Sequence, residues 1–154
     1  MFVVFDLDGT LANTFQRTYS HLACPERGYP HMRQDMDWDA YFAECDRDTP
    51  YKHTIEVLNA LHDAGHDVRI WTARSEIVRE KTVDWLVTNG VPFKVAYLSL
   101  FMRPEGNHLD DFLLKQRWMT DYGRPDLVFE DRARVVKMWR SLGIPCFQVA
   151  DGEF

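Results

Sequence analysis

Two aspartates separated by one residue, Asp6 and Asp8, stand directly after the apolar run Phe2-Val3-Val4-Phe5 and directly before Gly9 and Thr10. A short run of β-branched and aromatic residues reads as a buried strand. Unpaired carboxylates at the end of such a strand are costly to desolvate. A hard divalent cation removes that cost, and Gly9 allows a sharp turn just beyond it. A lone Asp-Gly is a common strand-ending turn. The full Asp6-Leu7-Asp8-Gly9-Thr10 after an apolar run points instead to metal and phosphate chemistry.

Other polar groups stand where a core has no use for them. Thr72 and Arg74 follow the apolar run 68–71, Glu130 and Asp131 follow 127–129, and Lys115 lies in a helical stretch between the third and fourth strands. In an open parallel sheet, ligands bind at the carboxyl ends of the strands, so these distant groups are expected to meet in one crevice. Carboxylates with one hydroxyl, a lysine and an arginine suit a phosphoryl group held with Mg²⁺.

Apolar runs alternate with helix-like segments along the chain, the pattern of an α/β protein with a mainly parallel sheet. Residues 51–64 carry Ile55, Leu58 and Leu61 at helical spacing, and Gly65 stops them. Strands are expected at 2–5, 68–71, 95–98, 127–129 and 147–150. Helices are expected from a Ser75 cap to about Asn89, over 109–122 and over 133–142. Residues 21–48 read as a small insertion over the end of the sheet, with a short helix near 38–44. Trp38, Tyr41 and Phe42 there suit a mini-core better than a base-stacking platform.

The chain has 154 residues, the size of one domain, with 45% hydrophobic and 27% charged residues. A net charge of −6 argues against nonspecific coating of nucleic acid but permits a grip on a single terminal phosphate. No apolar run approaches the ~20 residues of a membrane span, so no membrane association and a cytoplasmic location are expected. Cys24, Cys45 and Cys146 lack metal-ligand spacing and read as reduced structural thiols. His62 and His66 are separated by a helix-stopping Gly65, which argues against a zinc pair.

Asp6-Leu7-Asp8-Gly9-Thr10, Trp71-Thr72-Ala73-Arg74, Lys115 and Glu130-Asp131 resemble, in order, the four motifs of the haloacid dehalogenase-like (HAD) phosphatases. That resemblance implies a Rossmann-like, mainly parallel sheet flanked by helices, one HAD-like domain over 1–154, and an insertion at about 21–48. The run from Phe129 through Arg140, with Cys146 to Phe154, is similar to the end of the phosphatase half of bacteriophage polynucleotide kinase/3′-phosphatases. Arg17, eleven residues after Asp6, and Asp111, four before Lys115, also fall where that family has functional residues.

The resemblance implies that Asp6 attacks phosphorus and that Asp8 protonates the leaving hydroxyl, then activates water. Mg²⁺ would be bound by Asp6, the Asp8 main-chain carbonyl and Asp131, with Glu130 beside them where the phage pattern has aspartate. Thr72 and Lys115 would hold phosphate oxygens, Arg17 and Arg74 the phosphate or the nucleotide end, and Asp111 would orient Lys115 or the waters of the metal. The expected substrate is a phosphorylated nucleic-acid end or a nucleotide, with a separate kinase or ligase as a possible partner, because no G-x-x-x-x-G-K-[S/T] loop is present. Two alternatives are a phosphatase of small esters such as 5′-nucleotides or sugar phosphates, and a non-catalytic module that binds phosphorylated ends. The second carboxylate, Asp8, argues against the module, since pure binding has no use for a group that repels phosphate.

Overall fold

The structure, a computed structural model, describes residues 1–22 and 37–152. In chain order the elements are β1 (Phe2–Phe5), β2 (Ala12–Asn13), α1 (Phe15–Leu22), α2 (Trp38–Ala43), β3 (Thr49–Pro50), α3 (Lys52–Asp63) and β4 (Asp67–Ser75). They continue with α4 (Arg79–Thr88), α5 (Phe93–Leu98), β5 (Leu100–Arg103), α6 (Asp111–Tyr122), β6 (Leu127–Arg132), α7 (Ala133–Ser141) and β7 (Cys146–Gly152).

Five strands form a parallel sheet in the order β5-β4-β1-β6-β7, as the alternation of apolar runs and helices predicts. β1 is central, and successive side chains go to opposite faces. Val3 and Phe5 join a core cluster with Leu58, Ile70, Trp85 and Leu86, whereas Val4 joins a second one with Trp71, Trp118, Val135 and Trp139. Both faces are therefore covered by helices, and the strands read as continuous apolar runs rather than alternating ones.

One strand assignment is corrected. Residues 95–98 belong to α5, and the strand is β5, which begins two residues later. Pro92 stands at the N-cap of α5, where its fixed φ and missing N–H suit a helix start. The run Val95-Ala96-Tyr97-Leu98 is short and apolar, and such runs do not distinguish strand from buried helix. Elsewhere the expected elements stand, with ends moved by a few residues. Ser75 does cap, its Oγ accepting from the Ile77 N–H at 3.4 Å, but it opens a short 3₁₀ turn ahead of α4.

Of the expected insertion at 21–48, residues 21–22, which end α1, and 37–48 are described, and the expected short helix is α2; Cys24, Pro25, Gly28 and Pro30 lie outside the described residues. β2 and β3 pair antiparallel, Ala12 with Pro50 and Asn13 with Thr49, so the chain returns beside the loop after β1. Trp38 stacks on Phe42, and the rings of Tyr41 and Phe42 are buried beneath it, the expected mini-core. Cys45 and Cys146 are buried free thiols. Among the described residues, no helix is long and apolar enough to cross a membrane.

Candidate active site

The loop after β1 sets the positions of Asp6 and Asp8. The carbonyl of Leu7 accepts from the N–H groups of Thr10, Leu11 and Ala12, which folds residues 7–12 tightly. Gly9 has φ +87, and a Cβ there would collide with the Asp131 carboxylate. Glycine is thus required twice, for its backbone angle and for the space it leaves. The turn projects Asp6, buried at 6% exposure, and the less buried Asp8 at the carboxyl end of the central strand.

The neighbouring strands supply the rest. β4 shifts register against β5 between Thr72 and Ser75, and β6 shifts against β7 between Glu130 and Arg132. Irregularities of this kind re-aim side chains, and here they fall at the two places where polar residues leave the core. Lys115, on α6, donates to Asp6 Oδ1 at 2.5 Å and to Glu130 Oε2 at 2.6 Å. Asp6, Glu130 and Asp131 each offer a carboxylate oxygen within 4.8 Å of the others.

Three buried carboxylates therefore face one ammonium. Burial, then repulsion from Glu130, pushes the Asp6 carboxyl above its ordinary value; burial, then Asp6 and Glu130, does the same to Asp131. Burial alone would lower Lys115, but Asp6 and Glu130 outweigh it and hold the ammonium charged. An excess of buried negative oxygen beside one lysine fits a hard divalent cation, which takes oxygen ligands and offsets the charge.

Asp8 is governed by a second network. Arg17, on α1, donates to Asp8 Oδ1 at 2.9 Å, and Arg74 donates to both Asp8 oxygens. Burial opposes ionisation of Asp8, but the two guanidinium groups win and hold its carboxyl well below the usual range. Both arginines also bind Asp48, Arg17 through bonds of 3.0 and 2.7 Å and Arg74 at 3.2 Å. Asp48 is itself fixed by the β2–β3 pairing next to it and by Trp85 Nε1, which donates to its carbonyl at 2.7 Å. The Arg17 guanidinium lies 4.1 Å from the centre of the Tyr41 ring, a cation–π contact.

Asp6, Asp8, Thr72, Lys115, Glu130 and Asp131 line one cavity of about 760 Å³. The Thr72 hydroxyl accepts from the Arg74 N–H at 3.1 Å, which leaves its own proton to donate. Asp111 lies at the start of α6, but its carboxylate bonds Arg132 and Arg134 rather than Lys115. Arg17 and Arg74, expected at the phosphate, bond the two carboxylates Asp8 and Asp48. Asp48 was not anticipated, since it carries no spacing relative to the four motifs. Its one signal is an acidic residue just before Thr49-Pro50 at the end of the insertion. Arg103 was also missed; it ends β5 and lines the same cavity.

A family model described as the polynucleotide kinase PNKP phosphatase domain matches residues 1–154. A protein of Autographa californica nuclear polyhedrosis virus, assigned as a bifunctional polynucleotide kinase/RNA ligase, is 30% identical over 147 residues, which is 93% of this chain and 18% of that protein. Among solved structures, a chain of a Pnkp1/Rnl/Hen1 complex superposes with a TM-score of 0.75 at 24% identity, over 99% of this chain and 47% of that one. A class C acid phosphatase from Bacillus anthracis with tungstate bound gives 0.62 at 13% identity, over 99% and 69%. Both likenesses are of fold. The chain spans under a fifth of the viral relative and under half of the Pnkp1 complex chain.

Proposed function

The chain belongs to the polynucleotide kinase PNKP phosphatase domain family, of HAD type, and from that premise we propose that it removes 3′-phosphate from nucleic-acid ends or nucleotides, with Mg²⁺, through an aspartyl-phosphate on Asp6. The carrying observation is the division of the two aspartates between two environments: Asp6 beside Lys115 and two further carboxylates, Asp8 between two arginines. Two carboxylates with separated environments are suited to separate roles.

Asp6 is the nucleophile, and attack on phosphorus divides one hard displacement into two easier ones. Lys115 orients the Asp6 carboxylate and, once the attacking oxygen is committed to phosphorus, neutralises charge on the phosphoryl oxygens. Thr72 donates its hydroxyl to one of those oxygens. Asp8, held in line by Arg17 and Arg74, passes a proton to the leaving hydroxyl. An arriving phosphate dianion raises the proton affinity of Asp8 by repulsion, against the pull of the arginines. Asp8 then takes a proton from the water that hydrolyses the intermediate. Asp6, Asp131 and Glu130 would hold Mg²⁺, which when bound neutralises phosphoryl charge and orients the ester.

The family match and the presence of a ligase and a polynucleotide kinase among the relatives' printed names support a nucleic-acid end as substrate, and a kinase or ligase as working partner. The test is phosphate release from 3′- and 5′-phosphorylated oligonucleotides and from mononucleotides, with Mg²⁺ and with EDTA. Expected is Mg²⁺-dependent release favouring 3′ ends, and loss of more than ~10³-fold in Asp6→Asn with the fold retained. Equal or faster release from 5′ ends, or unchanged turnover by Asp6→Asn, overturns the reading.

A further inference from the structure

Arg103 differs from the other arginines of the cavity and its two ion networks. Arg17, Arg74, Arg132 and Arg134 each face a carboxylate, whereas Arg103 forms no ion pair among the described residues. Its hydrogen bonds go to neutral oxygens: Nε to the carbonyl of Ala73 at 2.9 Å, and Nη1 to the carbonyls of Leu109 and Asn107 at 2.6 and 3.2 Å and to the Asn107 side chain at 3.4 Å. Its Nη2 has no partner among the described residues. The guanidinium is thereby fixed on the wall of the cavity with no carboxylate bonded to it, and with one amino group unused, among the described residues.

Arg132 and Arg134 line the same wall and act on Arg103 as like charges. Asp111 answers both of them, while Asp110 and Glu105 on that rim are exposed and form no ion pair among the described residues. Burial is the main influence that lowers Arg103; Asp111 and Asp110 favour its charged form, and Arg132 and Arg134 oppose it. A guanidinium anchored through Nε and Nη1 presents its charge and the Nη2 amino group to an anion in the cavity. The cavity, about 760 Å³, lies in the range of ~300–1,000 Å³ that accommodates a whole small-molecule ligand rather than one phosphoryl group.

We propose that Arg103, with Arg134 beside it, forms a subsite for a second phosphate of the substrate, distinct from the phosphate that Asp6 attacks. The proposal rests on the phosphatase reading above and deepens it. The second phosphate is the internucleotide phosphate preceding the terminal nucleotide of a strand, or the 5′-phosphate of a nucleoside 3′,5′-bisphosphate; the chemistry is shared. Either raises affinity without touching the bond that breaks, so its contribution falls on KM.

The experiment compares four compounds in Mg²⁺: a 3′-phosphorylated dinucleotide, the same dinucleotide with an uncharged methylphosphonate linkage, a nucleoside 3′,5′-bisphosphate and a nucleoside 3′-monophosphate. The expected result is a KM roughly 10- to 100-fold lower for the natural dinucleotide than for its methylphosphonate, with kcat within about twofold, as one charge-assisted contact provides. In Arg134→Gln, and in Arg103→Lys where the charge stays but the anchored amino group is lost, that KM difference shrinks toward unity. A KM gain confined to the dinucleotide assigns the subsite to a strand, and an equal gain with the bisphosphate assigns it to either source. Equal KM for the natural and methylphosphonate dinucleotides in the unmodified protein overturns the subsite. Calorimetric binding of the same dinucleotides to Asp6→Asn makes the comparison without turnover, so failure of the phosphatase reading and failure of the subsite are told apart.

Discussion

Lys115 and Asp48 do the same job for different partners: each is a buried charge that makes two opposite charges tolerable. Removing one member of such a group leaves the rest uncompensated, at about 3–5 kcal/mol. Lys115→Met removes the ammonium that Asp6 and Glu130 share. Thermal unfolding in EDTA should show a large drop in Tm, and Mg²⁺ should restore part of it while activity stays low. Asp48→Asn instead loosens Arg17 and Arg74, and with them the aim of Asp8. A leaving group that needs no proton tells the two apart. Asp48→Asn should lose at least about tenfold more activity on an alkyl phosphate than on p-nitrophenyl phosphate, within the range general acid catalysis contributes. Equal losses on both would assign Asp48 to scaffolding alone. Asp6, Asp8, Thr72, Lys115 and Asp131 were legible because each lies at the end of an apolar run or in the ordered motif set. Asp48 was not, because its partners are 31 and 26 residues away and nothing in the chain encodes that pairing locally.

At the scale of elements, the site depends on strand ends more than on helices. Gly9 is the narrowest point, since its φ of +87 and the Asp131 carboxylate together exclude a side chain. Gly9→Ala should lose well over about 1 kcal/mol of stability, beyond the usual cost of a left-handed alanine, because the loop must also move away from Asp131. Denaturant unfolding with and without Mg²⁺ measures it; a loss confined to a few tenths of a kcal/mol would mean the loop adjusts freely. The parallel sheet was readable from its apolar runs, which are continuous where both faces are buried. The misplacement of one strand at 95–98 had a further effect. The reasoning that picked out Thr72 and Glu130 as polar residues ending a strand applies equally to Arg103, but with the strand set too early, Arg103 stood in a loop.

For the molecule as a whole, the excess of buried carboxylate ties stability to both pH and cation. Asp6 and Asp131 are raised from the ordinary carboxylate value, so without a cation the folded protein binds more protons than the unfolded chain once the pH exceeds about 4. Their contribution is complete below that value and is lost as pH rises toward and through neutrality. Asp8 and Asp111 are lowered, so their contribution disappears only as pH falls below the same value. Metal-free stability should therefore decline from about pH 5 to pH 8, and Mg²⁺ should flatten the decline, since cation binding releases the protons. At a hundredfold excess over its Kd, the ion adds ~2.7 kcal/mol, roughly 5–10 °C in Tm for a domain of this length. Unfolding scans across that pH range, in EDTA and in Mg²⁺, check both statements; a metal-free stability that climbs with pH would refute them.

The central place of β1 has one more consequence, for the order of events during synthesis. Of these five strands β1 is made before the others and waits longest for its second neighbour, because β4 and β6 begin at Asp67 and Leu127. Asp6 meets Lys115 across 109 residues, and Asp8 meets Arg74 across 66. Contacts of such long range close slowly and late. A ribosome that has released this domain only as far as β5 therefore carries Asp6 and Asp8 but not Lys115, Glu130 or Asp131, and the carboxylate cluster is completed when β6 inserts beside β1.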